Sequence, residues 1–176
     1  MLSRMTRAEW NRSLLLSLEG FGEEGRAAAA FLRQRNTQIS FRRVRKNVGA
    51  FWTPLGTIHL NTVHYSPETN PADPRVLTIL IHEVKHLQQG LVTALSVYGE
   101  LEAWQLQFKL YHEKVNTKMH PAIEKLLSLP LGWDRSVLRQ ARGLMRDYAG
   151  TGYRADLLPL YPLGKEIRFR LFGEVP

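Results

Sequence analysis

The sequence contains no cysteine. That excludes disulfides, a thiolate metal site and a cysteine nucleophile, so any metal held by this chain needs histidine and carboxylate ligands. No apolar run approaches the length needed to span a bilayer. The first dozen residues mix charged, polar and apolar side chains and do not form a secretory signal, so the expected location is cytoplasmic. Internal repeats and low-complexity stretches are absent too. Acidic residues are few, 16 against 24 Lys and Arg, giving a net charge of +8 and a pI of about 10. Such a balance admits nucleic acid, an acidic protein or anionic lipid as a partner without selecting among them. The 176 residues are 44% hydrophobic, enough for a packed core. One domain over 1–176 is expected, with a helical pair at 6–35, a core at 38–115 and a mainly helical part at 120–176.

The chain is organised around His82-Glu83-Val84-Lys85-His86. On a helix, residues four apart share a face, so both histidines can hold one metal ion. Glu83 lies about 100° further round, where its carboxylate can reach a water on the metal without binding the metal itself. The nearly all-apolar run Val76 to Ile81 precedes the motif and Gly90 follows it as a stop. Asp73 with Pro74 reads as the cap and first turn of that helix.

A zinc site of this kind needs a third protein ligand and an open fourth position. On a helical wheel of residues 95–114, Glu100 falls in the middle of the apolar face with Gln107 beside it, whereas Glu102 falls at the polar margin with Lys109 and Glu113. A carboxylate in a buried face needs a partner, either a metal or an arginine in an internal salt bridge. Glu102 is the fallback ligand if the helix phase differs.

With its downstream glutamate in a Glu100-Leu101-Glu102-Ala103 setting, the motif resembles the gluzincin metallopeptidases, in particular their minimal single-domain forms, including the small anti-repressor type. The resemblance covers roughly residues 56–112. It implies an α+β, mainly helical zincin-like fold with a small antiparallel sheet before the metal helix. It implies one zinc ion on His82, His86 and Glu100, with Glu83 activating water for peptide-bond hydrolysis. Ala103 fits the small residue that lets the third-ligand helix come close. One position departs from the family: relatives often carry Asp or Asn four residues after the glutamate, and here that residue is Trp104. Another group must then orient a ligand, and Gln89 and Gln107 are the candidates.

Around this centre, residues 6–18 read as a helix with Thr6 and Glu9 in capping-box spacing, and 22–35 as a second. Strands are expected at 38–45, 48–52 and 57–61, with Lys46-Asn47 as a turn. In the zincins this chain resembles, a strand before the metal helix lies at the sheet edge and pairs with extended substrate; Thr57, Ile58, His59, Leu60 and Asn61 are the candidates here. His59 and His64 are weaker candidates as ligands, since a lone histidine near a strand end is more often simply hydrogen-bonded. Arg42, Arg43, Arg45 and Lys46 read as a solvated strand face, with a nucleic-acid patch as the alternative. Leu91 to Tyr98 is a helical turn or tight loop. Tyr98, Tyr111 and His112 are candidates to stabilise an oxyanion, with core packing as the plainer role.

Further on, Asp134 caps a helix over 135–149 whose buried face is Val137, Ala141, Leu144 and Tyr148, with Leu138 and Met145 alongside. Its other face carries Arg135, Arg139, Arg142 and Arg146, either a solvated stripe or a surface for an anionic partner. The run Ala149 to Tyr153 reads as a flexible turn, and the alternation of Ile167, Phe169 and Leu171 suggests a final strand. The leading expectation is a zinc metallopeptidase acting on peptide or protein substrates. The rival is a non-catalytic metal-binding protein of the same fold whose basic surface takes nucleic acid or an acidic partner.

Overall fold

Thr6 caps the first helix. Its side chain accepts from the Glu9 amide while the Glu9 carboxylate accepts from the Thr6 amide, the reciprocal capping box that satisfies two donors at a helix start. The computed structural model describes residues 5–173. Helix α1 (Arg7–Glu19) buries Trp10, Leu14 and Leu18 at helical spacing, and α2 (Glu23–Gln34) buries Ala28, Ala29 and Leu32. Trp10 donates its indole N–H to the Thr69 carbonyl at 2.8 Å and meets Phe41 edge-on at 5.0 Å. Strands β1 (Gln38–Arg42), β2 (Ala50–Trp52) and β3 (Thr57–Asn61) form one sheet, and α3 (Pro74–Ala94) follows.

Two compact units divide between Lys85 and His86, inside α3. The first holds α1, α2, the sheet and the start of α3, with Val76, Leu77, Leu80, Ile81 and Val84 buried. The second holds α4 (Val97–Val115), α5 (Pro121–Leu127), α6 (Arg135–Ala149) and α7 (Leu163–Phe172). Its core gathers Leu101 and Trp104 of α4, Ile123 and Leu126 of α5, and Leu138, Ala141 and Met145 of α6. No helix among the described residues is long and apolar enough to cross a membrane.

The α+β class matches the expectation, but the sheet is mixed rather than antiparallel. Its order is β1-β3-β2, with β1 parallel and β2 antiparallel to β3. Arg45 and Val48 do close a turn around Lys46-Asn47, yet no hairpin forms because β3 lies between the two strands that this turn joins. Asn61 fixes the loop that makes this connection. Fully buried, it donates to the carbonyls of Arg45 (2.9 Å) and Val48 (2.6 Å) and accepts from the amides of Val44 (3.2 Å) and Val63 (3.1 Å).

The central place of β3 overturns the substrate-strand assignment. Thr57, Ile58, His59, Leu60 and Asn61 pair with β1 on one side and β2 on the other, so β3 offers no free edge to a peptide. The edges are β1 and β2. On β1, Arg7 and Asn11 of α1 already donate to the Ile39 carbonyl, at 2.9 and 3.4 Å.

The tail is also a helix rather than a strand. Its period-two alternation marked Ile167 and Leu171, yet these are exposed, while Glu166 and Phe169, three residues apart, face inward. An i,i+4 bond from Arg170 to Glu166 supports the helical turn. On α6 the buried face is Leu138, Ala141, Leu144 and Met145; Val137 is half-buried, and Tyr148 is exposed at the margin, its ring against Trp104, Phe108 and His120.

Candidate metal centre

Helix α3 runs without a break through the motif as far as Gln89, where Gly90 leaves the helical region at φ 72°. One uninterrupted turn therefore sets the spacing of His82 and His86. Both histidines and Glu83 are at least 95% buried. The chain then reverses over a few residues. Ser96 caps α4 by accepting from the Gly99 amide at 3.0 Å, and Glu100 follows in the first turn. Among the described residues one group of side chains could hold a metal: His82, His86 and Glu100 each offer a ligand atom, and these atoms lie within 4.8 Å of one another.

The hydrogen bonds around the group decide which atoms point inward. Gln89 Nε2 donates to the Gly99 carbonyl (3.0 Å) and to Glu102 Oε2 (2.9 Å), both pure acceptors. The amide orientation is thereby assigned, and Oε1 is the atom 3.0 Å from His86 Nδ1. His86 must carry its proton on Nδ1, leaving the Nε2 lone pair for a metal. Glu100 is divided in the same way. Its Oε2 accepts from Trp104 Nε1 at 3.1 Å and from the Tyr153 hydroxyl, and Trp104 Nε1 also lies 2.6 Å from that hydroxyl. Its Oε1 faces His86 Nε2 at 3.6 Å.

Those two atoms are both electron-pair donors in this tautomer, and a cation or an extra proton between them would relieve their repulsion. Tetrahedral zinc, with bonds of about 2.0–2.2 Å, puts its ligand atoms about 3.3–3.6 Å apart. The residues present fit such an ion by donor type and burial, and the His86–Glu100 pair fits it by spacing.

The helical wheel anticipated Glu100 over Glu102, and the structure puts Glu100 in the cluster and Glu102 behind Gln89. Gln107 is half-buried and joins none of the hydrogen bonds around the cluster among the described residues. Tyr98 stacks on Trp133 at 4.0 Å in the core, and His112 Nδ1 lies 3.2 Å from the Thr117 carbonyl at the end of α4. Tyr111 is half-buried on the same helix. His59 bonds Ser40 and lies against the Phe51 ring, and His64 bonds the Lys46 carbonyl; neither belongs to the cluster. Burial, with Arg42 and Arg7 adding repulsion, holds His59 below the usual histidine pKa.

Sequence reasoning missed Tyr153 and the role of Trp104. Trp104 contributes an N–H to Glu100, and Tyr153 sits in a Gly-rich stretch whose composition reads only as a turn.

Gly99 is needed for close approach. A Cβ there would fall on the Thr93 carbonyl, with the Ala94 Cα 3.1 Å away. Gly99→Ala is expected to destabilise the fold by about 1–3 kcal/mol and to weaken metal binding by displacing Glu100, readouts available from urea denaturation and metal titration of the same sample.

No family model, curated protein or solved structure matches the chain. The site therefore stands on its own geometry.

Proposed function

We propose that this protein is a zinc-dependent peptidase. The observation that carries the reading is the pair of ligand atoms, Glu100 Oε1 and His86 Nε2, facing each other at 3.6 Å while the second oxygen and second nitrogen are held by other partners. A structural zinc site is usually closed by four protein ligands, whereas three leave room for water and substrate. Zinc bound here would supply Lewis acidity, drawing the pKa of water from about 16 towards neutrality and polarising a carbonyl.

The chain's own residues do the rest. Glu83, one position along α3 from His82, accepts the proton of the attacking water as the new C–O bond forms. It returns that proton to the leaving nitrogen as the C–N bond breaks. Gln89 and Glu102 keep His86 in the tautomer that can ligate, and Trp104 and Tyr153 keep Glu100 presenting one oxygen. Burial of Glu83 excludes bulk water and strengthens each of these interactions.

The test is cleavage of a diverse peptide library by purified protein, followed by mass spectrometry. Cleavage should disappear on chelation and return with zinc. Cleavage that survives full metal removal would refute the proposal.

A further inference from the structure

A second chemical feature lies in α6, α7 and the segment between them. A cavity of about 410 Å³ is lined by Arg135, Arg139, Arg142 and Arg170, with Asp156 and Glu166 as its only carboxylates among the described residues, an excess of two positive charges. The four cations are not equivalent. Glu166 is buried, yet hydrogen bonds and nearby charge keep it ionised. Burial by itself would raise its pKa, but the Arg170 hydrogen bond, the Tyr161 amide and the Arg135 charge together hold it below the usual value. It accepts from Arg170 at 3.0 Å and lies 3.6 Å from Arg135, whose guanidinium sits 4.1 Å over the Phe169 ring. Those two arginines are built into the wall.

Arg139 and Arg142 are the two cations of the lining that Glu166 does not hold in an ion pair. Arg142 is half-buried, and one of its terminal nitrogens donates to the Leu158 carbonyl at 2.6 Å. Its buried Nε makes no hydrogen bond among the described residues. A buried charged donor without a partner is unfavourable, and an acceptor bound at this guanidinium would offset that cost. Burial lowers the Arg142 pKa, and attraction from Glu166 and Asp156 does not fully offset it. The rim is apolar and open to solvent: Leu157, Leu163 and Ile167 are 67%, 55% and 47% exposed.

We propose that this cavity binds a small phosphate monoester with an apolar substituent. Guanidinium forks match phosphate oxygens bidentately, and a dianion balances an excess of two charges where a carboxylate would leave one over. The volume suits one small molecule, and the rim leucines and isoleucine would cover its apolar body.

Calorimetric titration of the full chain with phenyl phosphate tests this. Saturable one-to-one binding is expected, weaker by about tenfold or more in Arg139→Gln and in Arg142→Gln. Arg146→Gln, on the same helix but outside the cavity, should bind within about twofold of the wild type. Arg139 is exposed, so its variant should fold even if the Arg142 variant does not. No binding at millimolar phenyl phosphate would overturn the proposal, as would equal loss in Arg139→Gln and Arg146→Gln. Benzoate binding as tightly as phenyl phosphate would overturn the phosphate assignment.

Discussion

Glu83→Gln is expected to reduce peptide hydrolysis by about two to four orders of magnitude while leaving zinc content unchanged. Glutamine keeps the shape of the buried side chain and removes only its capacity to take up a proton. Glu83 is not one of the three residues whose ligand atoms converge, so the metal should stay. It is 3% exposed, so water cannot substitute freely as a base. The measurements are kcat/KM on a peptide found in the library screen, elemental mass spectrometry for zinc, and a thermal melt on the same preparation. A large loss of activity with normal zinc and a normal melt assigns the proton transfer to Glu83. Full activity in the variant would remove the general-base role, and loss of zinc together with activity would make Glu83 a structural partner of the site instead.

Why the sequence could name the three residues of the candidate site and not the groups that hold them follows from the range of each interaction. His82 and His86 are related by a local period, and a single helical turn carries it. Glu100 was legible because its place on the apolar face of α4 is also a local property, although nothing in the sequence placed α4 beside the motif. Trp104 was visible only as a departure from a pattern, and Tyr153 lies 53 positions from the carboxylate it serves, brought there by the packing of the second unit. The sheet failed for a similar reason. Alternation locates strands, and β3 has the expected bounds, but which neighbour each strand takes depends on long-range pairing, and here the buried Asn61 organises the loop that separates β1 from β2. In α7 the alternation misled because its most buried member is the charged Glu166, which a hydrophobic pattern cannot mark.

The ligand assignment makes the sharpest demand on the chain. Wild type should bind about one zinc per chain, Glu100→Gln should lose it, and Glu102→Gln should retain it with affinity reduced by about 10–100-fold, the usual cost of removing a group behind a ligand. The difference follows from the two roles. Glu100 Oε1 faces His86 Nε2 directly, and an amide at that position provides a poor, uncharged donor. Glu102 acts through Gln89, so its loss frees the amide to turn and lets His86 sample the wrong tautomer without removing a ligand atom. Tyr153→Phe should resemble Glu102→Gln, because it releases Glu100 Oε2 to rotate while Trp104 still restrains it. Competition against a chelator of known affinity gives the three constants, and thermal melts give an independent check. Zinc at a thousandfold excess over Kd adds about 4 kcal/mol to the folded state, so a variant that cannot bind shows no zinc-dependent shift. Equal weakening in Glu100→Gln and Glu102→Gln would dissolve the distinction between ligand and support. Failure of the wild type to take up zinc would leave His82, His86 and Glu100 as a buried polar cluster held together by a proton, and the peptidase reading would fall with it.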